Sequence, residues 1–293
     1  MRDTFSSYHP LVNFLYFTVV LVCGMFLLHP ACLIISLIGA VSYAIYLNGR
    51  RAMRFQLLYL LPLLLITALL NPAFNHQGVT ILCYLPSGNP LTLESILYGL
   101  AAGVMLVTVI SWFSCYHVVM TSDKFIYLFG RIIPALSLIL SMSLRFVPRF
   151  RDKFRQVQMA QKGISRSAGE GSLKQRMRHA VTIFSIMVTW ALESGVETAD
   201  AMKSRGYGLK GRTAFSIFRW EKRDIGAALA IGLGGIYLLI GGLQGGLDFR
   251  YYPMLGGAGV DFYHVTLILV YALLCALPLL LSVWEGLRWN SHL

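Results

Sequence analysis

Charge is scarce in this chain. Asp, Glu, Lys and Arg account for 13% of its 293 residues, about half the share usual in soluble domains. Hydrophobic residues make up 56% and the mean hydropathy is +0.64, so a soluble globular domain is excluded. The sequence has no G-x-x-x-x-G-K-[ST] phosphate loop, no G-x-S-x-G elbow, no H-E-x-x-H and no carboxylate-rich cluster. That leaves no self-contained ATPase, no serine hydrolase, no catalytic residue set and no metal or cofactor site to assign. The five cysteines (Cys23, Cys32, Cys83, Cys115 and Cys275) fall singly, without C-x-x-C spacing, and read as packing residues. Ionisable residues are nearly absent from the apolar runs, where only Glu94 and His117 lie near run ends. An ion-coupled carrier would place such groups at mid-membrane. Any energy source must come from a partner.

What the chain does contain is long apolar runs. Each is close to the roughly 20 residues needed to cross a ~30 Å hydrocarbon layer, and they fall at about 11–28, 31–47, 55–71, 95–118, 225–243 and 263–284. The first lacks a small-x-small cleavage site and reads as a retained span rather than a signal peptide. The expected fold is an all-α polytopic integral membrane protein with about six transmembrane helices, both termini lying on one side. Three regions follow: a four-span membrane domain over 1–118, a cytoplasmic region over 119–224 and a two-span hairpin over 225–293. The region 119–224 holds 19 of the 25 Lys and Arg, and Arg2, Arg50, Arg51, Arg54 and Arg288 fall on its side, leaving only Arg250 opposite. The positive-inside rule therefore places both termini and the region 119–224 in the cytoplasm. The acidic surface such a basic block meets is lipid headgroups, with no module for nucleic acid.

Glycines at 99 and 103, and eight more between 226 and 246, put small faces on the fourth and fifth spans, where a neighbouring backbone can approach closely. In the basic region, residues 133–147 are apolar but carry Pro134, Arg145 and Pro148, which suits a kinked half-span that continues as a basic helix over 149–162. After a Gly/Ser-rich break over 163–172, a second helix is expected from Leu173 to Arg205. Its apolar positions Met177, Val181, Phe184, Val188, Ala191, Leu192, Gly195, Ala199 and Met202 step by three and four, so it is amphipathic. Lying flat on the membrane would set Glu193, Glu197 and Asp200 against anionic lipid. The helix closes at Ser204-Arg205, where Gly206 and Gly208 supply positive φ. Arg205 then stands at a capped helix end, a five-donor fork suited to an acidic groove on another protein or, in the plainer alternative, to the helix dipole or a lipid phosphate.

Several stretches together resemble a known family. They are His9-Pro10, Thr121-Ser122-Asp123-Lys124 with Leu128-Phe129-Gly130, Leu144 to Pro148, Ala160 to Gly163, Thr189 to Glu193 and Ala201 to Gly208. This set is similar to the transmembrane T component of energy-coupling factor transporters, the class that includes the cobalt-type permease subunit. The resemblance implies long cytoplasmic coupling helices bearing two short X-Arg-X signatures, each docking into one of two ABC-type ATPase subunits. It also implies a separate small membrane subunit that binds the substrate, a vitamin or a transition-metal ion. The second signature matches Ser204-Arg205-Gly206. By position the first is Gln161-Lys162-Gly163, with lysine in place of arginine, while the neighbouring Ser165-Arg166-Ser167 also has the X-Arg-X form. The same picture suggests that Glu193, Glu197 and Asp200 pair with Arg176 or Arg178 across crossed helices. Two other classes remain in view: a conventional permease half that forms the substrate path itself, and a membrane enzyme acting on lipid. Two long basic helices argue against the first, and the missing catalytic cluster against the second.

Overall fold

The computed structural model describes residues 3–84, 90–130, 133–163, 172–209, 218–257 and 261–290. Almost all of them are helical: α1 (Pro10–Phe26), α2 (Pro30–Asn48), α3 (Arg50–Phe55), α4 (Leu61–Phe74), α5 (Leu93–Val119), α6 (Ser122–Gly130), α7 (Pro134–Gly163), α8 (Leu173–Ser204), α9 (Lys222–Leu243) and α10 (Phe262–Asn290). The only strands among the described residues form two antiparallel pairs, β1 (Ile81–Tyr84) with β2 (Pro90–Thr92) and β3 (Phe249–Arg250) with β4 (Gly256–Gly257). The chain divides into two compact units, Met1–Phe125 with Phe218–Leu293, and Ile126–Ile217.

Among the described residues, six helices are long and apolar enough to cross a bilayer: Pro30–Asn48, Arg50–Phe74, Leu93–Val119, Leu173–Ser204, Lys222–Leu243 and Phe262–Trp284. The total of six equals the expected one, but the membership differs. The 17-residue Pro10–Phe26 falls just short in length, and Leu173–Ser204 qualifies at a hydropathy of 1.3, below the 1.9–2.5 of the others. That helix also carries Lys174, Arg176, Arg178, Glu193, Glu197, Asp200 and Lys203. Charges at both of its ends, flanking an uncharged stretch over 179–192, set it apart from α2, α5 and α10. Between α2 and α3 the helix breaks at Gly49, whose φ is +55°. Arg50, Arg51 and Arg54 are already helical, and the helix runs on through a π turn at Gln56–Leu60 into α4. The apolar run 133–147 and the basic run after it are one helix, α7, with Pro148 inside it.

In the membrane unit the core gathers around Trp112, Tyr16, Tyr43, Tyr271, Phe5 and Phe17, all fully buried. Trp112 donates its indole N–H to Ser36 Oγ at 3.0 Å and meets Tyr16 and Phe17 edge-on, the geometry that ring quadrupoles favour. The small face of α5 is taken up inside the chain. A Cβ on Gly99 would lie 2.8 Å from the Ala68 carbonyl oxygen, and one on Gly103 would lie 2.8 Å from Thr67 Oγ1, so only glycine lets α5 lie this close to α4. α1 and α2 begin alike, with a histidine before a first-turn proline. His9 Nδ1 accepts from Leu11 N and His29 Nδ1 from Ala31 N, each at 3.3 Å, so an imidazole satisfies an orphan donor beside a proline that has none to offer.

Candidate functional site

The second unit is built on α7 and α8, which span about 45 and 48 Å at 1.5 Å per residue. α8 starts on Ser172, whose N–H donates to Gln175 Oε1 at 3.1 Å, a capping arrangement that fixes the first turn. Its far end closes as the glycine spacing predicts. Tyr207 N donates to Met202 O and Gly206 N to Lys203 O, both at 3.0 Å, with Gly206 at φ +75° and Gly208 at +94°. This double bond pattern is a Schellman closure, and the left-handed position it needs falls on a glycine. Arg205 is the residue at the cap, with φ −86° and ψ 10°, and it is exposed.

Where α7 and α8 pack together, Val157, Ile183 and Met187 are buried with Trp190 against them. Phe150 meets the Trp190 ring edge-on at 5.2 Å, while Arg149 and Lys153 lie over it at 5.9 and 5.7 Å. The cations are held on the indole face. The buried row on α8 is therefore Ile183, Met187, Trp190 and Ser194. The stripe legible from periodicity stays open, with Met177, Val181, Phe184 and Leu192 each 64–69% exposed. α8 thus carries two apolar faces, of which α7 covers one.

Toward the Arg205 end, the two helices enclose a cavity of about 500 Å³. Arg205, Arg145, Arg149 and Glu197 line it together with Ser194 and Thr198. This corrects the pairing expected for the acidic residues. Glu193, Glu197 and Asp200 share α8 with Arg176 and Arg178, and the nearest of these, Glu193 and Arg178, are 15 residues or ~22 Å apart along the axis. One helix cannot fold back on itself, and the arginines that Glu197 faces are those of α7. Of the two readings of the first tip, Gln161, Lys162 and Gly163 occupy the last turn of α7, with Lys162 and Gly163 exposed. Arg166 lies outside the described residues.

A second constellation was legible only as part of the resemblance. Lys124 is buried, and its ammonium donates to the carbonyls of Ser6 and Val119, the latter at 2.9 Å; with the Asn13 amide turned to suit its surroundings, Asn13 Oδ1 accepts as well at 3.0 Å. Close by, the buried Asp3 carboxylate accepts from Tyr43 OH at 2.8 Å, Ser282 Oγ at 3.1 Å and Ser6 N at 3.1 Å. Burial pushes the Lys124 ammonium below the usual lysine range, and the Asp3 charge works against that shift. The cluster ties the chain start, α2, α6 and α10 together in the membrane unit. A shorter link nearby binds His9 to the start of α9: its ring stacks on Trp220 at 4.2 Å, and its backbone N–H donates to Asp224 Oδ1 at 3.3 Å.

The profile of the CbiQ family, described as cobalt transport protein, matches residues 4–215. The chain belongs to that family. The match takes in α1 to α8, and so includes the Lys124 cluster, the α7/α8 unit and the Arg205 cap. Among individual relatives, the chain is 36% identical over 94 residues to the energy-coupling factor transporter transmembrane protein EcfT 1 of Listeria monocytogenes, covering 32% of this chain and 35% of the relative. It is 32% identical over 107 residues to EcfT of Lactobacillus helveticus, covering 36% and 37%, and 37% identical over 107 residues to EcfT of Streptococcus thermophilus, covering 35% and 40%. The chain thus matches between a third and two fifths of the length of these curated relatives. Family membership and the apolar helices make this CbiQ-family chain a multi-pass membrane protein.

Proposed function

We propose that this chain is the transmembrane coupling subunit of an ATP-driven importer. In this reading it is not an enzyme. It carries motion from two ABC-type ATPase subunits, through α7 and α8, to a separate small membrane protein that binds a vitamin or transition-metal ion. The observation that carries the reading is the α8 end: a long helix closed by glycines at Gly206 and Gly208, with an exposed arginine at the cap and serine and glycine on either side. A guanidinium there presents a planar set of donors to a carboxylate-lined groove, and the rigid helix behind it converts displacement of the tip into displacement of the α7/α8 contact. Ser204, Arg205 and Gly206 form the second tip and Gln161, Lys162 and Gly163 the first, with Arg166 as the competing residue for that role. The open apolar stripe of α8 suits the membrane partner, and the basic residues around it suit lipid headgroups. Co-purification tests the assembly directly. Two ATPases and a small membrane protein should come down with the tagged chain, whereas a second permease half in their place would make it a conventional channel-forming subunit.

The α7/α8 unit and both termini are assigned to the cytoplasm, with the α4–α5 and α9–α10 connections outside, since 24 of 25 basic residues then lie inside. On a cysteine-free background, Lys203→Cys is expected to resist membrane-impermeant reagents in intact cells and to react after permeabilisation. Labelling from outside would overturn the topology. The purified chain alone is expected to show no nucleotide turnover, because its sequence has no phosphate-binding loop. ATP hydrolysis by a preparation shown free of other subunits would contradict the non-catalytic assignment.

A further inference from the structure

The connection between α4 and α5 has a polar root and a bare apolar strand. At the root several polar groups are engaged. Glu94, buried at the start of α5, accepts from the backbone N–H and the hydroxyl of Thr80. Thr92 Oγ1 donates to Gln77 O at 2.9 Å, and Asn75 Nδ2 donates to Tyr252 OH at 3.2 Å. Above this root runs β1, whose residues are all exposed: Ile81 is 48%, Leu82 56% and Tyr84 68% open, with Val79 before it at 61%. A bulge between Ile81 and Cys83, which pair with the adjacent Thr92 and Leu91, breaks the usual alternation, so these two side chains lie on opposite faces of the ribbon. Both faces are apolar and uncovered. In water such a strand is an aggregation site.

Charge tells what covers it. From Phe55 to Leu93 the sequence has no Asp, Glu, Lys or Arg, and the first charge after that, Glu94, is turned inward to pin Thr80. Of that run, residues 75–92 form the connection outside α4, and a connection without a single charge suits a lipid interface better than bulk water. The hairpin is also continuous with bilayer-facing surface, because Leu65, Leu69 and Phe74 of α4, the last 81% exposed, lead directly into it. Its depth is bounded by its backbone. A two-strand ribbon leaves unpaired N–H and C=O groups on both edges, which hydrocarbon would penalise by several kcal/mol each, whereas the headgroup boundary can satisfy them. Tyrosines such as Tyr84 concentrate at that boundary.

We propose that the β1–β2 hairpin lies in the headgroup–acyl boundary of the leaflet opposite the termini, with Val79, Ile81, Leu82 and Tyr84 in contact with lipid. It acts there as an interfacial anchor that holds the outer ends of α4 and α5 against the bilayer. The chain supplies its own reporter, since Cys83 is exposed whereas Cys23, Cys32, Cys115 and Cys275 are buried. The test is a nitroxide on Cys83, and separately on Leu82→Cys in a Cys83→Ser background, in the full chain reconstituted in phosphatidylethanolamine/phosphatidylglycerol vesicles. Collision with oxygen, which concentrates in lipid, is compared with collision with a water-soluble nickel chelate. Oxygen should dominate at both positions. Dominance of nickel at either would make the hairpin a solvated loop, and low collision with both reagents would mean that protein, such as a second copy, covers it; either result overturns the proposal.

Discussion

Arg205→Ala is expected to abolish assembly with the ATPases, or transport by the assembled complex, while leaving membrane insertion unchanged. Truncating one partner of a buried, hydrogen-bonded charge pair costs about 2–5 kcal/mol, a loss of roughly 30-fold to several thousand-fold in affinity at that contact. Arg205→Lys should fall between, because it keeps the charge without the planar fork. The structure adds a control that the sequence did not suggest. Arg149 lines the same cavity as Arg205 but lies over Trp190 rather than at the helix end. If the tip itself docks, Arg149→Ala should retain ATPase binding. If the basic cavity is what matters, it should fail as badly as Arg205→Ala. Lys162→Ala and Arg166→Ala decide the first tip, since only the residue that grips an ATPase should worsen the Arg205→Ala defect. A contact with lipid phosphate or with the helix dipole instead predicts a loss below about 1 kcal/mol at a solvated site. Normal uptake and intact ATPase co-purification in Arg205→Ala would retire its coupling role.

Much of this architecture follows from patterns with a short physical range. Apolar runs of the right length mark the helices, and the α8 end was legible because many helices close on a left-handed residue and Gly206 and Gly208 offer one at little cost. The small face of α5 announced a close neighbour, which is α4. Other features depend on partners remote in sequence. The periodicity of α8 fits two faces, Met177-Val181-Phe184 and Ile183-Met187-Trp190, and only α7 decides which is covered. Glu197 offered no sign that its neighbours would be Arg145 and Arg149, some fifty residues earlier. The two strands of the outer connection leave no trace in the sequence, because strands of four and three residues give too few alternations to register. The Asp3 cluster was hidden for the same reason: its members are separated by up to 279 residues, and a lysine in a short polar stretch looks solvated until the fold closes over it.

Lys124→Met is therefore expected to be among the most destabilising single changes outside the apolar core. It would leave the Ser6, Val119 and Asn13 oxygens without their common donor and strip the buried Asp3 carboxylate of its nearby positive charge. Breaking such a buried arrangement from one side costs about 3–5 kcal/mol, enough to lower the thermal midpoint in detergent by many degrees. Asp3→Asn should also destabilise, since Tyr43, Ser282 and Ser6 all donate to that carboxylate and an amide can accept on one side only. The double variant discriminates between mechanisms. If the two charges hold each other in place, Lys124→Met with Asp3→Asn loses less than the sum of the single losses, because the second change removes the charge that the first left uncompensated. Strict additivity would mean that Lys124 serves only as a clamp on carbonyls. The pH dependence has a definite sign. With its folded value below the usual one, Lys124 binds its proton less tightly in the folded chain than in the unfolded one. Its contribution to stability should therefore rise as the pH climbs from the lowered folded value toward the ordinary lysine value. In Lys124→Met that alkaline gain should vanish, and its persistence would assign it to another group.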